Sequence, residues 1–461
     1  MKMDEFSYRT RRKDLETLDG REFPVLVIGG GIIGAGVANT LSQCGVQVLL
    51  VDKGDFASGT SSGSSKMIHG GLRYLSQGRI RLTRSLLKER NYLLRNTAIV
   101  KELDFTILIG KGMWPRYQIS MGLLLYRILG GGSAQRYSRN KGEFPEWIRG
   151  YFRYKDAVTD DAVLTLHNII DARSRGAVCL NYVAFNRPES ENAGTFTLTD
   201  VLTGQNYRVK AGLVINCAGS WARDIIPGLE DYRDRMKMSK GIHLIFPGEL
   251  FKGDSAVVFR SAIDRRQLFL IPRGEVVIVG TTDDLTEDPD DFIVTEKERQ
   301  YIVESLRPLF PAFTREKVIS EYAGIRSLFG RGDNPGKMSR DFRIIDSGRY
   351  LSVIGGKVTD YRRVSAAVAR SALSKLSLKA STRNLPVIGR LDLDRKHPIR
   401  SAVFQQCAIT EEDVVRRRTG AFFFSRDAGR RTALDFRNFV ETEGLKLSEH
   451  NGISHINCEL L

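Results

Sequence analysis

Apolar and polar positions alternate along this chain in short hydrophobic runs separated by longer stretches of helical spacing, the pattern of strands interleaved with helices. Val25–Ile28 and Gln47–Val51 are buried-strand runs, and between them Ala35 and Gly36 continue a glycine turn into a helix. Arg79–Glu102 has helical spacing with many Arg and Lys, Phe105–Ile109 reads as a strand, and Lys111–Gly150 is an insertion broken at Gly130-Gly131-Gly132. Asp160–Ala177 predicts a long helix, followed by strands at Val178–Val183 and Thr195–Val201 and a hairpin turn at Thr203-Gly204-Gln205. Leu213–Gly219 is another apolar strand that ends in small residues before Trp221-Ala222. From Lys240 to Ser327 the runs His243–Phe246, Ala256–Phe259, Leu268–Ile271 and Val276–Gly280 predict an antiparallel sheet, with Thr295–Leu309 as an amphipathic helix. Arg349–Gly355 returns as a strand, and the turn Gly355–Tyr361 leads into a helix at Ser365–Leu378. Pro386–Pro398 reads as a linker, and Glu411–Gly420 and Asp427–Gly444 as helices of a small cap.

That order predicts an α/β chain in which a Rossmann-like dinucleotide-binding domain is interleaved with an antiparallel β-sheet substrate domain, followed by a helical C-terminal cap. The boundaries expected are a polar extension over 1–22, an oxidoreductase body over 23–380 and the cap over 381–461. Within the body, segments 23–105, 155–238 and 320–380 go to dinucleotide binding, and 106–154 and 239–319 to the substrate layer.

The chemistry starts at Gly29, Gly31 and Gly34, which give G-x-G-x-x-G directly after the first strand. The first glycine makes the tight turn, the second lets backbone N–H groups approach a pyrophosphate, and the third lets helix and strand pack closely. The second strand ends on Asp52, about 20 residues past Gly31, the offset of an acid that accepts from a ribose hydroxyl. Asp52 is followed by Lys53 and then by a run of small hydroxylated residues and glycines to Tyr74, including Thr60, Ser61, Ser62 and Ser65. A nicotinamide enzyme goes on to another αβ unit at this point. A Ser/Gly run instead supplies hydroxyl and amide donors to a large cofactor, and the dense Lys66–Leu75 block is no linker composition.

These residues resemble the signatures of the FAD-dependent glycerol-3-phosphate dehydrogenase family, within the D-amino-acid-oxidase-like flavoproteins. The resemblance is carried by Gly29–Gly36, by Ser64-Ser65-Lys66-Met67-Ile68-His69-Gly70-Gly71-Leu72-Arg73-Tyr74-Leu75, by Gly280-Thr281-Thr282-Asp283, by Tyr322-Ala323-Gly324-Ile325-Arg326 and by Gly355-Gly356-Lys357-Val358-Thr359-Asp360-Tyr361-Arg362. It runs from about Phe23 to Leu373 and fades beyond, and it departs from the family at Asp360, where a Thr is usual. It implies FAD as cofactor, held by Gly29, Gly31, Gly34, Asp52, Lys53, Thr60, Ser61, Ser62, Ser65, Lys66, His69, Gly70, Gly71, Leu72, Ala218, Gly219, Gly356, Lys357, Val358 and Thr359. It also implies oxidation of glycerol 3-phosphate, with electrons passed to a quinone. Oxygen-using relatives carry an extra insertion, and relatives with an iron–sulfur subunit carry a cysteine-rich C-terminal region. An amine or 2-hydroxy-acid oxidase of the same fold, or a non-catalytic flavin scaffold, remains the alternative.

Composition narrows the partners. The 461 residues are 42% hydrophobic and 27% charged, ordinary globular proportions, and carry a net charge of +16. Cys44, Cys179, Cys217, Cys407 and Cys458 are scattered without a C-x-x-C pair, which points to reduced thiols and away from a disulfide framework, zinc or iron–sulfur site. Residues 1–22 are polar and mixed in charge, so neither a signal peptide nor an anchor is expected. Recognised nucleic-acid modules are absent, so nucleic acid is not an expected partner. An anionic membrane surface fits the charge better, with a cytoplasmic protein bound peripherally to the cytoplasmic membrane; a homodimer stays open. Ile119–Leu129 is too short to span a bilayer and reads equally as an interfacial segment beside Lys111–Arg116 and Arg127, or as a buried core helix.

Flavin-dependent oxidation of a secondary alcohol needs a base for the hydroxyl proton, which favours histidine. His243 on its strand is either that base or a satisfied core residue, and the family pattern Lys240-Gly241-x-His243 favours the base; His69 is the second candidate. A phosphate handle needs cations. Arg326 in apolar surroundings either meets a buried carboxylate or the phosphate, Arg340 either meets substrate or pairs with Asp341, and Arg73, Tyr74 and Lys357 complete the expected substrate set.

Overall fold

The computed structural model describes residues 5–75, 77–111, 113–132, 137–188, 194–330, 332, 338, 341–382, 385–386, 391 and 393–457. Arg340 and Cys458 lie outside the described residues.

Five strands run mutually parallel in the first sheet, in the order Tyr350–Ile354, Asn206–Asn216, Glu22–Ile28, Val48–Val51 and Val178–Leu180. Val25–Ile28, Val48–Val51, Leu213–Ile215 and Tyr350–Ile354 are continuous buried runs, which suits burial on both faces, whereas the first half of Asn206–Asn216 alternates exposed and buried positions. The helix Ile32–Gln43 connects the third and fourth of these strands, and Tyr361–Lys375 and Asp161–Arg173 pack against it. Glu22–Ile28 and Asn206–Asn216 are neighbours; the first leads through a helix back into the same sheet, the second crosses to the other sheet, and a crevice lies at their carboxyl ends, beside Gly29 and Cys217.

The second sheet lies on the other side of that crevice and is antiparallel, except that Ala256–Arg260 runs parallel to Lys101–Gly110. At its heart Met236–Pro247 pairs with Val276–Gly280 on one side and with Ser320–Phe329 on the other. This register sets His243 opposite Tyr322, and Ser239 opposite Arg326.

Three parts of the chain differ from the sequence expectation. The polar N-terminus folds as a helix, Tyr8–Glu16, capped by Ser7, and Tyr8 enters the core of the C-terminal region with Val403, Phe436 and Ile456. The helix expected at Glu411–Gly420 is a π-helical turn, Asp413–Arg418, shaped by buried ion pairs that periodicity does not register. The Ile119–Leu129 segment lies in the helix Arg116–Ile128, which has two faces: Leu123 and Tyr126 are buried, whereas Tyr117, Met121, Leu124 and Ile128 are exposed. The buried face is what a core helix requires, and the exposed face is an apolar stripe on the surface.

Candidate active site

A cavity of about 730 Å³ occupies the crevice between the two sheets. Its first wall is the glycine corner. Gly29 has φ +99°, and a Cβ on Gly34 would lie 1.9 Å from the Gly29 carbonyl oxygen, so only glycine allows helix and strand to approach this closely. The Ile32–Gln43 helix aims its amino end at the cavity, and Ser61 Oγ accepts from the Ile32 N–H at 2.8 Å. Asp52 sits at the end of its strand and accepts from the N–H groups of Gly30 (2.6 Å) and Gly54 (2.9 Å). Burial outweighs those donors and raises its carboxyl to about 6.

Several expected cofactor residues line this cavity: Gly29, Gly31, Asp52, Lys53, Thr60, Ser61, Ser65, His69, Ala218, Gly219, Gly356, Lys357, Val358 and Thr359. Others support it from behind. Gly34 packs against Gly29, and Gly70 donates its N–H to Tyr126 and to buried Asp156, while Gly71 and Leu72 carry the turn into the short helix Leu72–Leu75. Ser62 offers its carbonyl to Lys66. Lys66 lies outside the lining. Its ammonium is buried against Asp161 at 2.6 Å and over the Phe423 ring at 3.7 Å, the carboxylate being the partner that a buried cation needs.

The substrate set divides in the same way. Arg326, Lys357, Tyr74 and His69 line the cavity, with Lys357 Nζ 4.9 Å from the centre of the Tyr74 ring and the His69 ring stacked on Tyr74 at 6.4 Å. Arg73 is exposed and outside the lining. Arg326 has the carboxylate partner that its apolar surroundings call for. Its guanidinium donates to Thr281 Oγ1 (2.7 Å), to the Thr282 carbonyl (3.1 Å) and to Asp283 (3.3 Å), and it still borders the cavity. Asp283 thus orients the cation at the wall without burying it.

His243 is 1% exposed and does not line the cavity. Its Nε2 lies 2.8 Å from the hydroxyl of Ser65, which does, and its ring stacks on Tyr322 at 4.8 Å. The buried Nδ1 has no hydrogen-bond partner among the described residues. Burial, together with the charges of Arg326 and Lys66, holds the imidazole well below its ordinary value, so it stays neutral.

Sequence reasoning passed over part of the wall. Val183–Phe185, Trp221, Asp290 and Phe292 also line the cavity, and Asp290 accepts from the Trp221 indole N–H at 3.0 Å while Lys53 lies over the same indole at 4.4 Å. The run Glu287–Asp291 lies outside the strands and carries no motif, and its place on the wall comes from the Asp290–Trp221 contact. Asp360, the departure from the resemblance, is fully buried behind the last glycine turn and lies outside the lining.

The residues present fit an adenine-flavin dinucleotide. The glycine cradle and helix amino end suit a pyrophosphate, Asp52 suits a ribose, and the second glycine turn, at the start of Tyr361–Lys375, supplies a positive helix pole facing the same cavity. Comparison with known proteins agrees. Residues 24–356 match the pattern of the FAD dependent oxidoreductase family. An aerobic glycerol-3-phosphate dehydrogenase of Staphylococcus aureus is 34% identical over 373 residues, spanning 76% of this chain and 67% of the relative. The solved glycerol-3-phosphate dehydrogenase of Bacillus halodurans, complexed with FAD, superposes with a TM-score of 0.72 at 25% identity, covering 95% of this chain and 97% of that one. An L-alpha-glycerophosphate oxidase from Mycoplasma pneumoniae with FAD bound shares the fold at 16% identity, with a TM-score of 0.61 over 80% of this chain and 99% of that one. With a dinucleotide corner, a second glycine turn and an antiparallel substrate layer around one cavity, the chain belongs to the FAD dependent oxidoreductase family.

Proposed function

We propose that this chain oxidises sn-glycerol 3-phosphate to dihydroxyacetone phosphate. The observation that carries the reading is that one cavity is lined by two cations, Arg326 and Lys357, and by Ser65, whose hydroxyl leads to His243. The name borne by relatives 34% identical supports it. Bound FAD supplies the hydride acceptor.

The protein's own residues do the rest. Arg326, fixed by Asp283 and the Thr281-Thr282 turn, and Lys357, on the glycine turn, hold the phosphate. The secondary hydroxyl faces Ser65, and its proton passes through the Ser65 hydroxyl to Nε2 of neutral His243 as the C–H hydride departs. His69, held in the same wall and stacked on Tyr74, orders this loop. A carboxylate substrate needs fewer cations than this wall presents.

The electrons go on to a quinone at a membrane surface. Support comes from the net charge of +16 and from the helix Arg116–Ile128. Its residues Tyr117, Met121, Leu124 and Ile128 are 67%, 69%, 59% and 71% exposed, one stripe at helical spacing, with Arg116 and Arg127 on the same helix. Among the described residues no helix is long and apolar enough to cross a membrane. The occupant that suits an apolar stripe flanked by cations is an anionic lipid surface.

The deciding experiment is the visible spectrum of the purified flavoprotein under anaerobic conditions. Addition of glycerol 3-phosphate should bleach the flavin band near about 450 nm. Bleaching by sarcosine or 2-hydroxyglutarate instead would transfer the chain to the amine or hydroxy-acid oxidases, and bleaching by none of them would leave a flavin scaffold.

A further inference from the structure

Where the strand Tyr350–Ile354 ends, Gly355 and Gly356 adopt φ +80° and +91° and turn the chain towards the helix Tyr361–Lys375. Residues 355–359 all line the cavity. Asp360 comes next and is completely buried. Its Oδ1 accepts the N–H of Lys357 at 3.0 Å, and its Oδ2 accepts from Arg363 at 2.7 Å. Arg363 also binds Asp341 at the protein surface. A fixed carboxylate and a fixed guanidinium thus stand directly behind the turn.

Such a carboxylate is not needed to hold a cofactor. The opening of a helix already presents a positive pole through its N–H groups. Asp360 takes one of those groups, the Lys357 N–H, for itself and adds a charge of the opposite sign in a region of low dielectric. A two-electron reduced flavin carries its extra negative charge at the N1–C2=O edge of the ring, so a charge near that edge changes how readily it is reduced.

We propose that Asp360 and Arg363 form a potential-setting pair for the flavin, Asp360 making it harder to reduce and Arg363 making it easier. The proposal rests on the reading above and adds one placement to it, the flavin's pyrimidine edge at the 355–359 turn, where the helix pole suits the negative charge gained on reduction.

The test is the midpoint potential of the bound flavin, read by equilibration of the holoprotein with reference dyes at fixed pH. Asp360→Asn keeps an acceptor for the Lys357 N–H and should shift the reduced-to-oxidised ratio about tenfold towards reduced, or ~30 mV for a two-electron couple. Arg363→Gln should shift it the opposite way, and the double variant should return near the parent. Because a buried pair can be costly to break, Asp341→Asn serves as a milder probe at an exposed site; it frees more of Arg363's charge for the turn's surroundings and should move the ratio the same way as Asp360→Asn, by less. Opposite signs for the two single variants support the proposal, since a merely structural role has no reason to change sign. Shifts of one sign, or unchanged potentials with FAD still bound, would overturn it. A parent chain that refuses FAD would overturn the underlying cavity reading as well, and is told apart at once by its lack of colour.

Discussion

His243 meets the cavity through Ser65: the imidazole Nε2 lies 2.8 Å from a hydroxyl that lines the cavity, while the imidazole itself does not. The arrangement keeps the ring neutral and dry, and it places one exchangeable proton, that of Ser65, between the imidazole and the cavity.

His243→Asn should therefore lower kcat by roughly 10²–10⁴-fold, the usual range for a general base. Ser65→Ala should lower it as well, with KM less affected, because the broken link lies in proton transfer. The pH profile gives the sharper check. Burial first, then Arg326 and Lys66, hold the imidazole below 6.5, so the group stays neutral as pH falls past that value and the acid limb of kcat/KM should lie well under it. A limb at 6.5 or above that disappears in a His69 variant would hand the role to His69. The same shift acts on stability with a fixed sign. The unfolded histidine takes up a proton near 6.5 while the native one does not, so this contribution is present above 6.5 and is lost as pH falls.

Arg326→Ala should mainly raise KM. Charge-assisted hydrogen bonds contribute about 1.5–3 kcal/mol, which corresponds to roughly 10–150-fold in KM when the phosphate handle goes from ground and transition states alike. Asp283→Asn is the companion variant. The guanidinium keeps Thr281 and Thr282 but loses its ionic anchor, so KM should rise by less than in Arg326→Ala. Steady-state kinetics on both variants separate binding from orientation.

The cofactor corner was legible in the sequence because its physics is local. A strand, three glycines, a helix start and an acid follow one another within a few turns of chain, and the structure puts Gly29, Gly31 and Asp52 on one wall as their spacing requires. His243 and Arg326 could be named but not placed, since their neighbours depend on the register of Met236–Pro247 with Ser320–Phe329. Lys66 illustrates the limit. The resemblance assigns Lys66 to the cofactor, yet its ammonium pairs with Asp161, nearly a hundred residues away. The C-terminal region was the least legible part, because its fold is governed by the long-range pairs of Asp55 with Arg417 and Arg418, which leave no periodic trace.

FAD affinity should depend on pH through Asp52. Burial raises this carboxyl to about 6, and a ribose hydroxyl is best accepted by the charged form. Affinity should accordingly rise with pH through about 6 and level off above it. In the protein without cofactor the sign for stability is the reverse: a raised carboxyl favours the fold below about 4 and loses that contribution as pH climbs through 6. Titrating the apoprotein with FAD by flavin fluorescence at pH 5 to 8 checks the first statement, and Asp52→Asn should flatten the curve.

Membrane attachment should depend on the exposed stripe. Burying a large apolar side chain contributes about 1.5–3 kcal/mol, so Met121→Glu with Leu124→Glu should weaken binding to vesicles of anionic phospholipid at least tenfold. Vesicle sedimentation is the measurement. Neutral vesicles or high salt should weaken the parent protein too, because the cations lose their partner or are screened. Equal binding of parent and variant would remove this helix from the interface.

The C-terminal region should prove inseparable from the cofactor domain. Asp55 lies three residues beyond Asp52 and accepts from Arg418 at 2.6 and 2.8 Å and from Arg417 at 2.6 Å, all three side chains being buried. Burial alone would raise the Asp55 carboxyl, but the two guanidinium groups outweigh it and hold it near 2. The depressed value means that the pair's contribution is complete above about 4, the unfolded range, and disappears as pH drops through 2. Arg418→Met leaves Asp55 with one cation instead of two in a dry site, and removing one partner of such a pair costs about 3–5 kcal/mol. Thermal unfolding should show a large fall in Tm for Arg418→Met. FAD affinity should fall with it, since the turn that carries Asp52 is tied to the same carboxylate. A variant with an unchanged Tm would mean that these ion pairs contribute nothing net to the fold.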